Sequence, residues 1–189
     1  MERMRSASRF SVILTILALA APSSAHGSED SPLADLVEAA AARLEIADDV
    51  AASKWQSGAV IEDPNRVKDQ LAKLGTDAAS ANLDPDYVRR IFADQITATE
   101  AAQHYRFAQW KLNPAAAPPS PPELATSRAR IDGFNQAMLA QIGQRWGVLH
   151  SPDCAGELDV ATRAVSNTRN LDEFYRQALA AATRDYCAR

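Results

Sequence analysis

Glycine supplies only 7 of the 189 residues, and none sits in a GxGxxG or GxxxxGK arrangement. The backbone cradle that holds a nucleotide's phosphates is therefore missing. Three scattered histidines, with no CxxC and no HExxH, leave metals and other cofactors without a ligand set at usable spacing. Runs of β-branched residues are absent, which removes the pattern expected of a sheet. No lysine- or arginine-rich segment offsets a net charge of −4, so nucleic acid is a poor partner. Cysteine occurs twice, at Cys154 and Cys187. Past the first 25 residues no apolar run is long enough to cross a bilayer.

What the chain does have begins with a leader. Arg3, Arg5 and Arg9 precede the apolar stretch FSVILTILALAAP, and small residues occupy the −3 and −1 positions of a cut after Ala25. That three-part pattern predicts a secretory signal peptide over residues 1–25, with an uncleaved anchor as the alternative. Losing Arg3, Arg5, Arg9 and Glu2 takes the formal charge from −4 to −6 in residues 26–189. The expected destination is the periplasm or the extracellular space, free of the membrane once the leader is cut. A chain of that length forms one domain with a real core. In an oxidising compartment the cysteine pair reads first as a disulfide and second as metal ligands.

Alanine and leucine dominate, and helix starts are plainly written. Ser31 with Pro32, Asp63 with Pro64 and Asp84 with Pro85 each pair an N-cap with a proline at the first helical position. They predict helices over about 32–57, 64–81 and 85–112. The proline-rich stretch from Asn113 to Glu123 predicts an extended connection. A fourth long helix over about 123–149 and two shorter ones over about 155–168 and 171–187 complete the chain. Antiparallel pairing of the last two, turning near Asn170, brings Cys154 beside Cys187. The predicted fold is all-α: a single-domain bundle of about six helices with one intrachain disulfide.

Polar residues interrupt the inward rows. Leu36, Ala40, Arg43, Ala47, Val50 and Lys54 follow the alternating +4 and +3 spacing of one buried face. Thr99 and Gln103 sit in the row Phe92, Ile96, Phe107, Trp110. Arg66 and Gln70 lie one turn apart beside Val67, Leu71, Leu74 and Ala78, and Arg128 falls in the row Leu124, Ile131, Met138, Ile142. One reading has the basic chains snorkelling to the edge of their stripes, with Thr99 a tolerated core hydroxyl. The other has them facing a shared site, because an unpaired buried cation is costly. Too few inward carboxylates are present to neutralise three arginines and a lysine, so the second reading calls for an anionic ligand with more than one carboxylate.

The segments RLEIADDVAASKW, IEDPNRVKDQLAKLG, DPDYVRRIFADQITATEAAQHYRFAQWKLNP and SRARID together resemble the secreted subclass of AroQ-type, all-helical chorismate mutases. The likeness runs from about Leu33 to the second cysteine. It implies conversion of chorismate to prephenate with no metal and no cofactor. By position, Arg43, Arg66 and Arg128 would bind the substrate's carboxylates. Lys54 would donate to the ether oxygen of the breaking bond, and Thr99 would orient a carboxylate. Gln70 would line the site, and Glu62 would hold the substrate hydroxyl. The family places glutamate or glutamine where Gln103 stands, as second donor to the ether oxygen. A homodimer with each site inside one chain is the expected assembly. The alternatives are an isochorismate pyruvate lyase on the same fold and a non-catalytic exported helical binding protein.

A glutamine amide donates at any ordinary pH, whereas a glutamate donates only when protonated. Gln103→Glu should accordingly keep activity in acid and lose it as pH rises, while the parent protein stays flat on the neutral side. A pH–rate profile of the two proteins checks this, and identical profiles would remove Gln103 from the donor role.

Overall fold

The structure, a computed structural model, describes residues 31–187. The leader predicted over residues 1–25, with its cut after Ala25, lies outside the described residues.

Two of the three predicted caps form as read. The Asp63 carboxylate accepts from the Arg66 N–H at 3.1 Å and opens α3 (Pro64–Ser80). Asp84 accepts from the N–H groups of Asp86 (2.8 Å) and Tyr87 (3.3 Å) and opens α4 (Pro85–Leu112). In each case the carboxylate satisfies amides that have no partner inside the helix. Ser31 behaves differently. Its hydroxyl accepts from Leu33 N–H (3.1 Å) and donates to the Glu157 carbonyl (2.8 Å), while its own carbonyl takes the Ala34 N–H (2.9 Å). Ser31 thus closes a turn that seats Leu33 in the core, and α1 (Ala34–Glu45) starts three residues later.

The helix expected over 32–57 is two segments, α1 and α2 (Ala47–Ser57), separated by Ile46 alone. Ile46 keeps helical angles (φ −65°, ψ −15°) and bonds through its N–H to the Arg43 carbonyl at 3.3 Å. That is one tightened 3₁₀-like turn inside an otherwise continuous path. Within the Asn113–Glu123 connection, Pro114–Ala116 forms a single 3₁₀ turn instead of running extended. Its Ala116 N–H bonds to the Asn113 carbonyl at 3.0 Å, and the first-position proline forfeits no amide that the turn needs. The fourth predicted helix is α5 (Leu124–Gln144), followed after Arg145 by the short α6 (Trp146–Leu149).

The last two helices are α7 (Cys154–Thr168) and α8 (Glu173–Ala182). Asp172 caps α8 through the Tyr175 N–H at 2.8 Å, and Asn170 makes the turn between them at φ 53°. That left-handed conformation is one asparagine tolerates better than most residues. The final helix was expected to reach residue 187 but ends at Ala182. From there a tight turn sends Tyr186 into the interior, where the Tyr87 hydroxyl donates to its carbonyl.

Helix α1 is the hub of the bundle, packing on α4, α5, α7 and α8. Its Leu36, Val37 and Leu44 are wholly buried with Ile91 and Phe92 of α4, Met138 and Ile142 of α5, and Leu179 of α8. Each large apolar side chain so buried contributes roughly 1.5–3 kcal/mol. The Cys154–Cys187 disulfide, with Cα atoms 5.6 Å apart, ties the start of α7 to the segment beyond α8.

That bond closes a loop with a sequence separation of 33. The doubly substituted Cys154→Ser/Cys187→Ser protein should lose about 3–4 kcal/mol of stability on the chain-entropy account. Denaturant unfolding of the oxidised parent and of the substituted protein measures the difference.

Candidate active site

Seven of the eight candidate residues line one cleft between α1, α2, α3, α4 and α5: Arg43, Lys54, Arg66, Gln70, Thr99, Gln103 and Arg128. The cleft holds about 550 Å³ counted out to its mouth. Val50, Ile61, Val67, Ile96 and Ile131 supply its apolar walls. Glu62 is the exception. It is exposed, outside those walls, and its carboxylate meets His104 Nε2 at 2.6 Å.

Arg43 is only 2 % exposed. Its Nε donates to Asn135 Oδ1 at 2.7 Å, and its Nη1 donates to Thr99 Oγ1 at 3.0 Å and the Gln95 carbonyl at 3.4 Å. Among the described residues no carboxylate lies within ion-pairing distance of it. Burial pushes its pKa down to about 10, which leaves the guanidinium charged at neutral pH. The Thr99 hydroxyl in turn donates to the Gln95 carbonyl at 2.7 Å, so its orientation is fixed.

Lys54, 7 % exposed, donates from Nζ to the Ile61 carbonyl at 2.5 Å. The contact depends on how α2 ends. Gly58 adopts φ 68°, a left-handed angle open to glycine, and reverses the chain so that Ile61 folds back over the lysine. Burial, and then the Arg128 charge, hold the Lys54 pKa below the usual lysine value.

The other two arginines are half-open and have partners. Arg66 reaches Asp132 at 3.4 Å, an oxygen it shares with Gln70 Nε2 at 3.2 Å. Arg128 reaches the second oxygen of Asp63 at 3.3 Å. Gln103 is 3 % exposed; its amide donates to the Thr99 carbonyl at 3.2 Å, while its Oε1 is buried with no partner among the described residues.

Sequence reasoning passed over three polar residues here. Asp63 was read as a cap only, yet its second oxygen enters the cleft. Glu100 lines the cleft beside Thr99 and one turn before Gln103, and burial, followed by repulsion from Glu62, raises its pKa. Asn135 fills the vacant position between Ile131 and Met138 in the inward row of α5, a legible +4, +3 signal.

Residues 34–104 match the family described as chorismate mutase type II. The secreted chorismate mutase of Mycobacterium tuberculosis is 52% identical over 176 residues, spanning 93% of this chain and 88% of that one. The chain belongs to the chorismate mutase family. A secreted chorismate mutase from Mycolicibacterium smegmatis is 49% identical over 92% of this chain and 97% of its own length. Crystal structures of chorismate mutases from Burkholderia phymatum (TM-score 0.80, 27% identity) and Burkholderia thailandensis (TM-score 0.78, 31% identity) cover 86% and 84% of this chain. Each of those two is matched over its entire length, 100% in both cases.

In this chorismate mutase, two of the cleft's cations, Arg43 and Lys54, are held against the interest of the fold. Because burial lowers the Lys54 pKa, the protonated side chain costs stability at every pH below its folded pKa. That cost fades as pH climbs towards the value of an unfolded lysine. Lys54→Met should therefore melt no lower than the parent at pH 7, with any advantage shrinking as pH approaches the lysine range. Thermal melts across pH test this; a large destabilisation at neutral pH would show that Lys54 supports the fold.

Proposed function

We propose that this chorismate mutase converts chorismate to prephenate inside the α1–α5 cleft, using the residues gathered there. The observation that carries the reading is a pair of buried donors, Lys54 and Gln103, lining a cleft with three arginines from three helices. Chorismate carries two carboxylates, and planar guanidinium forks suit their bidentate recognition. Arg43, oriented by Thr99, takes one carboxylate; Arg66 and Arg128, whose ion-pair contacts are long and partly exposed, exchange Asp132 and Asp63 for the other. Glu100, which lines the cleft, suits the substrate hydroxyl better than Glu62, which faces His104.

The reaction is an intramolecular [3,3] shift: the ether carbon–oxygen bond breaks as a carbon–carbon bond forms. No proton leaves or enters, so no general base is needed. The cleft favours the compact chair-like conformer by fixing both carboxylates, which removes part of the entropic barrier. As the carbon–oxygen bond stretches, negative charge grows on the ether oxygen. The Lys54 ammonium and the Gln103 amide donate to it from a water-poor setting that needs no reorganisation.

The proposed assembly is a homodimer with each site inside one chain, as the resemblance to the secreted subclass implies. Export through the N-terminal leader, to the periplasm or beyond the cell, agrees with the disulfide and with the word "secreted" in both relatives' names.

Residues 26–189, incubated with chorismate, should deplete it and yield prephenate, detected as phenylpyruvate after acid. Salicylate with pyruvate would indicate the lyase chemistry instead, and no depletion would indicate a binding protein. Lys54→Ala should lower kcat by about 100-fold or more, the usual scale for removing one such donor. Undiminished turnover in that variant would defeat the mechanism.

A further inference from the structure

Three arginines line the cleft, but only one has no carboxylate partner among the described residues, and the residue against its Nε is an asparagine. An arginine side chain has donors only, so the Asn135 atom facing Arg43 Nε at 2.7 Å must be its carbonyl oxygen. Asn135 is 3 % exposed and sits on α5, which packs directly against α1. The other acceptors of Arg43, Thr99 Oγ1 and the Gln95 carbonyl, are likewise uncharged. Every bond that orients this guanidinium therefore leaves its charge unspent.

An aspartate at the same place would satisfy the geometry equally well. It is isosteric, offers a stronger charge-assisted bond, and would relieve the desolvation that lowers the Arg43 pKa. For stability alone, aspartate is the better residue. The uncharged amide makes sense if the positive charge is reserved for something else. We propose that Asn135 is a positioning residue that holds Arg43 through a neutral oxygen, so that the full cationic charge is kept for a carboxylate of the ligand. This rests on the reading of the cleft as a dicarboxylate site and adds to it the reason for the amide.

Asn135→Asp separates this role from a packing role, because the two predict opposite outcomes. The variant should melt at or above the parent temperature and yet raise KM for chorismate about 10-fold or more, with a smaller change in kcat. Asn135→Ala removes the acceptor altogether; it should also raise KM and should lose the slowly exchanging Arg43 Nε–H signal in NMR spectra. If Asn135→Asp does not fold, Asn135→Ala carries the test. A KM within twofold of the parent in the folded variants overturns the proposal, as does an unaltered Nε–H signal in Asn135→Ala. Parent protein that leaves chorismate untouched would overturn the activity reading instead. The Nε–H signal, present in parent and Asn135→Asp and lost in Asn135→Ala, would then decide the Asn135 assignment by itself.

Discussion

A charged guanidinium buried to 2 % exposure with only neutral acceptors is the constraint around which this bundle is arranged. Such a group is unfavourable on its own account, and several elements cooperate to keep it in place. Asn135 on α5 and Thr99 on α4 hold it from two sides. Behind them the Gln95 side chain donates to the Ala182 carbonyl (3.2 Å) and to the Tyr186 hydroxyl (3.3 Å). Tyr186 is wholly buried and precedes Cys187 of the disulfide. The C-terminal helices, which line none of the cleft, thus reach Arg43 through a continuous set of hydrogen bonds.

The arginines divide their work by burial. Arg66 and Arg128 are about one-third exposed and rest on Asp132 and Asp63, so their charge is screened and their partners are exchangeable. Arg43 has no such alternative. On the proposed function, a dianionic ligand entering the cleft would displace weak surface pairs at its mouth and meet at its depth a cation with no ion-pair partner among the described residues. The gradient runs inward even though the whole chain is acidic, since the local field and not the net charge acts on a ligand.

Much of this was legible because polar residues broke otherwise regular apolar rows. Arg43 and Lys54 in the first row, and Thr99 and Gln103 in the row of α4, mark the cleft from the sequence alone, and all four are buried. What periodicity did not convey was direction at the loops. Glu62 precedes a helix cap, and no helical phase specifies where a loop side chain points; it turns outward to His104. Asp63 was read for the one oxygen that caps α3, while its other oxygen faces Arg128. The division at Ile46 left no trace in the sequence either, because one tightened turn disturbs neither propensity nor the spacing of apolar residues. Asn135 was the residue most available to the same reasoning, since it completes a row whose flanking members are apolar.

The donor at position 103 bears on the same charge balance. The cleft already contains two carboxylates, Asp63 and Glu100, and both offset the burial and the Arg128 charge that lower the Lys54 pKa. Glu100 is itself raised by burial and by Glu62, so a further carboxyl in this place would be pushed the same way. A glutamine donates without joining that competition. It adds no charge for Lys54 to neutralise, and its amide is bonded to the Thr99 carbonyl on the same helix. Gln103 and Asn135 then follow one rule. On the proposed function, an amide beside each buried cation supplies the hydrogen-bonding atom and would leave the cation's charge to the substrate.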